Sequence, residues 1–133
     1  MHEWEVTIRF CETDLLGHVN NSNYFIYMED ARVQFFSDCD LVGERWNFVL
    51  ASATCDFLKQ VYFGQTLLLR SRIVKIGSSS FHLEQEMVDK DTEETAAKGL
   101  SIVVQYDFDN GKSLPLSEAQ RSNLEKYRYV MSE

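Results

Sequence analysis

Asp14 stands in the run Thr13-Asp14-Leu15-Leu16-Gly17-His18-Val19-Asn20-Asn21-Ser22-Asn23-Tyr24. A carboxylate in a glycine-containing loop leads here straight into an apolar helical stretch. The start of a helix offers backbone N–H groups without intrahelical acceptors and the positive end of a dipole. An acid facing such a start can act on a carbonyl carbon while the N–H groups hold the oxyanion that forms. The same Asp14 also suits a plain turn, where Asp bonds its own backbone. His18, four residues on, can donate to a substrate or bond loop backbone groups. Cys11 with His18 would be a nucleophile pair, but nothing in the sequence supplies the third, orienting group.

Elements that would position these residues are legible in the patterning. Glu3 to Phe10 reads as a strand, with Trp4, Val6, Ile8 and Phe10 on one face. Cys11 to Asn20 is a loop. From Asn21 to Cys39 the apolar spacing turns helical through Tyr24, Phe25, Met28, Ala31, Phe35, Phe36 and Cys39. Tyr24, Phe25 and Met28 read as core. Asn20, Asn21 or Ser22 can cap the start. After an irregular segment from Asp40 to Trp46 come four strand-like runs. Val49, Ala51, Ala53, Cys55 and Phe57 alternate in the first; Leu67 to Ile76 is the second; Phe81, Leu83 and Met87 alternate in the third. In the fourth, Ala96, Leu100, Ile102, Val104 and Tyr106 share a face. Ser117 and Gln120 form a capping box for a short C-terminal helix. The order strand, helix, four strands, helix predicts one α+β domain over residues 1–133. Its antiparallel sheet of about five strands curves around one long central helix.

Bulk properties narrow the function classes. The chain has 133 residues, 44% of them hydrophobic, enough for a real core. A net charge of -8 opposes nucleic-acid and anionic-membrane binding. No stretch reaches the roughly 18 apolar residues of a membrane span, and Met1-His2-Glu3-Trp4-Glu5 has no signal-peptide character. Cys11, Cys39 and Cys55, odd in number and without a CxxC pair, suit the cytoplasm. His2, His18 and His82 have no metal-ligand spacing, so no metal is expected.

The TDLLGHVNNSNY run and the element order together resemble the hot-dog-fold thioesterases of the 4-hydroxybenzoyl-CoA thioesterase type. The resemblance spans about Trp4 to Tyr127. Asp14-x-x-Gly17 with Asn23-Tyr24 carries most of it; Asp56-Phe57-Leu58-Lys59 with Gly64, and Gly77-Ser78-Ser79-Ser80-Phe81, add to it. It implies an acyl-CoA thioesterase with no cofactor beyond the CoA of its substrate. Asp14 would be the nucleophile or general base, and the N–H near Asn21 would bind the thioester oxygen. Gly17 would let the acyl group approach. The His18-Val19-Asn20-Asn21 run also resembles plant acyl-ACP thioesterases, but Leu16 stands where those have Asn. Where the benzoyl-type enzymes have a basic cluster, this chain has Gly77 and Ser78 to Ser80. CoA contact would fall to Lys59, Lys75, Ser78, Ser79 and Ser80. Tyr24 or Phe36 would line the acyl pocket, and Glu29 would face the site or stay solvated. The family implies a homodimer or dimer of dimers. The alternatives are a non-catalytic acyl-CoA sensor, an acyl-ACP thioesterase or a hydratase; hydratases commonly carry D-x-N-P-x-H, which this chain lacks.

Overall fold

The computed structural model describes residues 2–14, 17–43 and 46–128. Strands β1 (His2–Thr7), β2 (Phe48–Phe57), β3 (Thr66–Ile76), β4 (Ser80–Asp89) and β5 (Thr95–Asp107) form an antiparallel sheet in the order β1-β3-β4-β5-β2. A two-residue β6 (Lys112–Ser113) pairs with the end of β5. The 18-residue helix α1 (Asn21–Asp38) lies on one face, and α2 (Glu118–Glu125) is the last helix among the described residues.

Two apolar clusters hold α1 to the sheet. Tyr24, Tyr27, Met28 and Ala31 meet Leu67, Leu69, Met87 and Ala97; Phe35 and Phe36 meet Phe48, Ile73, Phe81 and Leu83. Gly99 lies under Met28 because the helix comes so close. A Cβ there would sit 2.5 Å from the Met28 sulfur and 3.1 Å from the Thr54 carbonyl. A polar layer separates the clusters. Gln85 donates to the Met28 carbonyl at 3.0 Å and to Ser71 at 3.2 Å, and accepts from buried Arg32 at 3.4 Å. Burial lowers the Arg32 pKa, and the Glu29 carboxylate works against that.

The outer face of the sheet is charged where it meets water. One row across five strands reads Asp56, Lys98, Glu86, Arg70, Glu3, with signs alternating at each step. Opposite charges in register support strand pairing by a few tenths of a kcal/mol up to about 1 kcal/mol each.

Several expectations are corrected. The first strand ends at Thr7; the chain then leaves the sheet and forms a 3-10 turn at Phe10–Glu12. Phe10 is therefore 76% exposed and does not share a strand face with Trp4, Val6 and Ile8. In β2 a bulge between Leu50 and Ser52 shifts the register, so Val49 does not share a face with Ala53, Cys55 and Phe57. In β5 the inward residues are Ala97, Gly99, Ser101, Val103 and Gln105, which are buried. Leu100, Ile102, Val104 and Tyr106 share a face as expected, but it is the outer one, and Ala96, expected with them, is buried in the core. Phe25 is 40% exposed on α1 rather than buried.

Candidate active site

The loop carrying Asp14 is a small hairpin. Thr13 bridges Val19, the Asp14 N–H donates to the His18 carbonyl at 3.0 Å, and the Gly17 N–H donates to the Asp14 carbonyl at 3.0 Å. Gly17 has φ +86°, a left-handed conformation that side chains with a Cβ rarely adopt. Asp14 Oδ2 lies 3.5 Å from His18 Nδ1. Leu16 lies outside the described residues.

The helix start is built from its own cap. Asn20 Oδ1 accepts from the Ser22 N–H at 3.0 Å, and the Asn20 carbonyl accepts from the Asn23 N–H at 2.9 Å. This leaves the Asn21 N–H, at the first helical position, with no acceptor among the described residues. Asp14, His18, Val19, Asn20, Asn21 and Gln60 line one cleft of about 260 Å³. A carboxylate, an imidazole and a helix-start N–H therefore share one open cleft. That set can move a proton or attack a carbonyl, and hold the resulting oxyanion.

Glu12, two residues before the acid, ties the loop to the helix. Its carbonyl accepts from Asn23 Nδ2 at 2.8 Å and from the Asn20 N–H at 3.4 Å. Its carboxylate accepts from the Arg9 N–H at 2.8 Å and the Arg9 guanidinium at 3.1 Å. Burial pushes the Glu12 pKa up. The Arg9 bonds, the neighbouring Tyr27 hydroxyl and the Arg9 charge outweigh it, and the net shift is downward. Tyr27 beside it is raised, first by burial and then by that carboxylate. Sequence patterning missed this clamp; its only signals were Asn23, noted as part of a motif, and an Arg and Glu three apart.

The clamp sets how the acid faces the helix start. Asn23→Ala is expected to cut kcat about tenfold to a hundredfold through misplacement. The lost hydrogen bond costs only about 1 kcal/mol of stability. Turnover measured alongside thermal unfolding checks this; unchanged kcat would leave Asn23 a purely structural residue.

The remaining candidates separate. Tyr24 is buried and its hydroxyl donates to the Lys59 carbonyl at 2.9 Å, so it ties α1 to that segment and is not among the cleft residues. Lys59 pairs with Glu94. Glu29 is exposed on α1, two turns beyond Asn21, and is not among the cleft residues. Lys75 and Ser78 to Ser80 lie at the far end of β3, an 11-residue strand and roughly 35 Å of chain from the Lys59 end. Arg121 in α2 donates to the carbonyls of Gly77 at 2.6 Å and Ser78 at 3.1 Å, placing a cation at that far turn. Nothing in the sequence around Arg121 marked it.

Residues 8–124 match the family pattern of the thioesterase-like superfamily. The chain belongs to that superfamily. Membership carries the enzyme class, a thioester hydrolase. The chain is 31% identical to the uncharacterized protein YsmA of Bacillus subtilis over 122 residues, 90% of this chain and 82% of that one. It is 22% identical over 126 residues to the long-chain acyl-CoA thioesterase FadM of Escherichia coli, covering 92% and 96%. A Thermus thermophilus thioesterase, solved with coenzyme A and Zn, superposes with a TM-score of 0.82 at 34% identity, over 94% and 92% of the two chains.

Within this superfamily member, the Asp14 hairpin lies inside the matched span, as does all of α1. Among the described residues no three His, Cys, Asp or Glu side chains come together as metal ligands. No helix among them is long and apolar enough to cross a membrane.

Proposed function

We propose that the protein hydrolyses acyl-CoA thioesters to a carboxylic acid and free CoA. The observation that carries this is the shared cleft of Asp14, His18 and the Asn21 N–H. Asp14 acts on the thioester carbonyl carbon, as nucleophile or as general base for water. As base, it takes the proton of the attacking water; the C–S bond then breaks, and the thiolate leaves and is protonated. As nucleophile, it forms an anhydride that water opens. In both routes the carbonyl oxygen becomes negative next to the Asn21 N–H, where a helix start stabilises it. The hot-dog arrangement, with the sheet curved around α1 as its central helix, puts the acid and the helix start at one end of the sheet. The coenzyme A held by the Thermus thermophilus relative supports CoA as the thiol carrier.

The cleft by itself offers one apolar side chain, Val19, and acyl groups need largely apolar walls. A second copy of this chain completes the site in a homodimer or dimer of dimers. A thiol-trapping screen over short, long, branched and aromatic acyl-CoAs tests the reading. Thiol release above the uncatalysed rate for at least one acyl group, unchanged by EDTA, is expected. No release from any of them would remove the assignment.

A further inference from the structure

Beside the acid loop stand large aromatic side chains that the core does not use. Phe10 is 76% exposed, Phe63 59% and Tyr62 49%. Phe10 and Phe63 meet edge to face, with centroids 5.9 Å apart at 85°. Tyr62 meets His18 in the same way at 6.3 Å. The ledge is joined to the acid loop from both sides. The Phe63 N–H donates to the Gly17 carbonyl at 3.4 Å, His18 bridges Tyr62, and Thr13 Oγ donates to the Phe10 carbonyl at 2.7 Å. Arg9, next to Phe10, has a side chain 74% exposed, and its guanidinium is paired with the Glu12 carboxylate at 3.1 Å.

Two neighbouring exposed phenyl rings beside the acid loop offer an apolar surface to a ligand. The ledge follows β1 and precedes β3, at the opposite side of the sheet from the free edge of β2. A copy joined along β2 would leave it open. Its chemistry is flat and aromatic, which fits a purine base stacked on a ring. Resting on the acyl-CoA reading, we propose that Phe10 and Phe63 seat the adenine ring of CoA. The Lys75 and Ser78 to Ser80 turn then does not hold the nucleotide.

The test compares one acyl group carried on CoA and on pantetheine, which lacks the nucleotide. The Phe10→Ala/Phe63→Ala double variant is expected to raise KM for acyl-CoA about tenfold, with kcat unchanged. Its kinetics on acyl-pantetheine stay within about twofold of wild type. Adenosine 3′,5′-bisphosphate, titrated calorimetrically, binds wild type and binds the double variant about tenfold more weakly. An equal loss on both substrates would make the ledge a support for the loop and overturn the proposal, as would no loss on either. A CoA-selective loss in Lys75→Ala or Arg121→Ala instead would move the nucleotide to the far turn. If wild type releases no thiol from any acyl-CoA, the acyl-CoA reading fails by itself. The bisphosphate titration still decides the ledge, which falls if the double variant binds as wild type does.

Discussion

Asp14→Asn is expected to lower thiol release at least about a hundredfold, the scale on which a lost general base acts. That corresponds to about 2.7 kcal/mol of transition-state stabilisation. The amide keeps the size and loses the basic, nucleophilic oxygen. The Asp14 side chain is 38% exposed in a surface hairpin, and the hairpin is closed by backbone bonds. Thermal unfolding of the variant is therefore expected to match wild type within a few degrees. Steady-state kinetics with a thiol trap, beside circular dichroism, makes the measurement. A folded Asp14→Asn protein with near-wild-type turnover would show that the acid has no part in the chemistry. Substrate binding gives a second reading, because the Asn21 N–H remains. KM is expected to change far less than kcat, as for an interaction made mainly in the transition state.

The parts of the fold that were legible are those decided within a few residues. The start of α1 is one: Asn20 caps it, and the helix begins at Asn21, where the polar cluster gives way to apolar spacing. The capping box of Ser117 and Gln120 is another, with both reciprocal bonds present. The inward face of β4 follows from the alternation of Phe81, Leu83 and Met87. Faces decided by packing were harder to read. In β5 the more hydrophobic set, Leu100, Ile102 and Val104, faces outward. Ala97, Gly99 and Ser101 face in because the helix approaches too closely for larger side chains. Small residues under a helix look weak to a pattern that counts hydrophobicity.

The site divides along the same line. The acid, the loop glycine and the helix start are neighbours in sequence, so one motif carries them all. Lys59 and Lys75 are also close in sequence, yet an extended strand separates them by nearly the length of the sheet. The Glu12 clamp and the Phe10–Phe63 ledge join segments about ten and fifty residues apart. No local pattern announces such contacts. Phe10 in particular reads as the last residue of a strand face until the chain turns away after Ile8, whose N–H still bonds the Gln65 carbonyl at 2.9 Å.

A dimer or dimer of dimers at micromolar concentration, with no active monomer, is the second expected result. β2 has β5 on one side and no strand of the chain on the other among the described residues. An open ten-residue edge is a pairing surface unless something covers it. The face beside it is apolar: Phe25, Ile26 and Val33 on α1 are 40%, 50% and 47% exposed, and Leu50 and Phe57 on β2 are 48% and 42% exposed. The Phe25 and Phe57 rings meet with centroids 6.1 Å apart, so the seam runs unbroken from helix to strand. Joining two such seams removes apolar surface from water and supplies the walls that the polar cleft lacks. Carboxylates placed in the seam would be buried without partners, at a cost of about 3 kcal/mol or more. That is at least about a hundredfold in association. Ile26→Glu combined with Val33→Glu is therefore expected to give a folded monomer by light scattering and circular dichroism, with thiol release lost. A wild-type monomer with full activity, or a monomeric variant that still turns over normally, would mean that one chain builds the whole site.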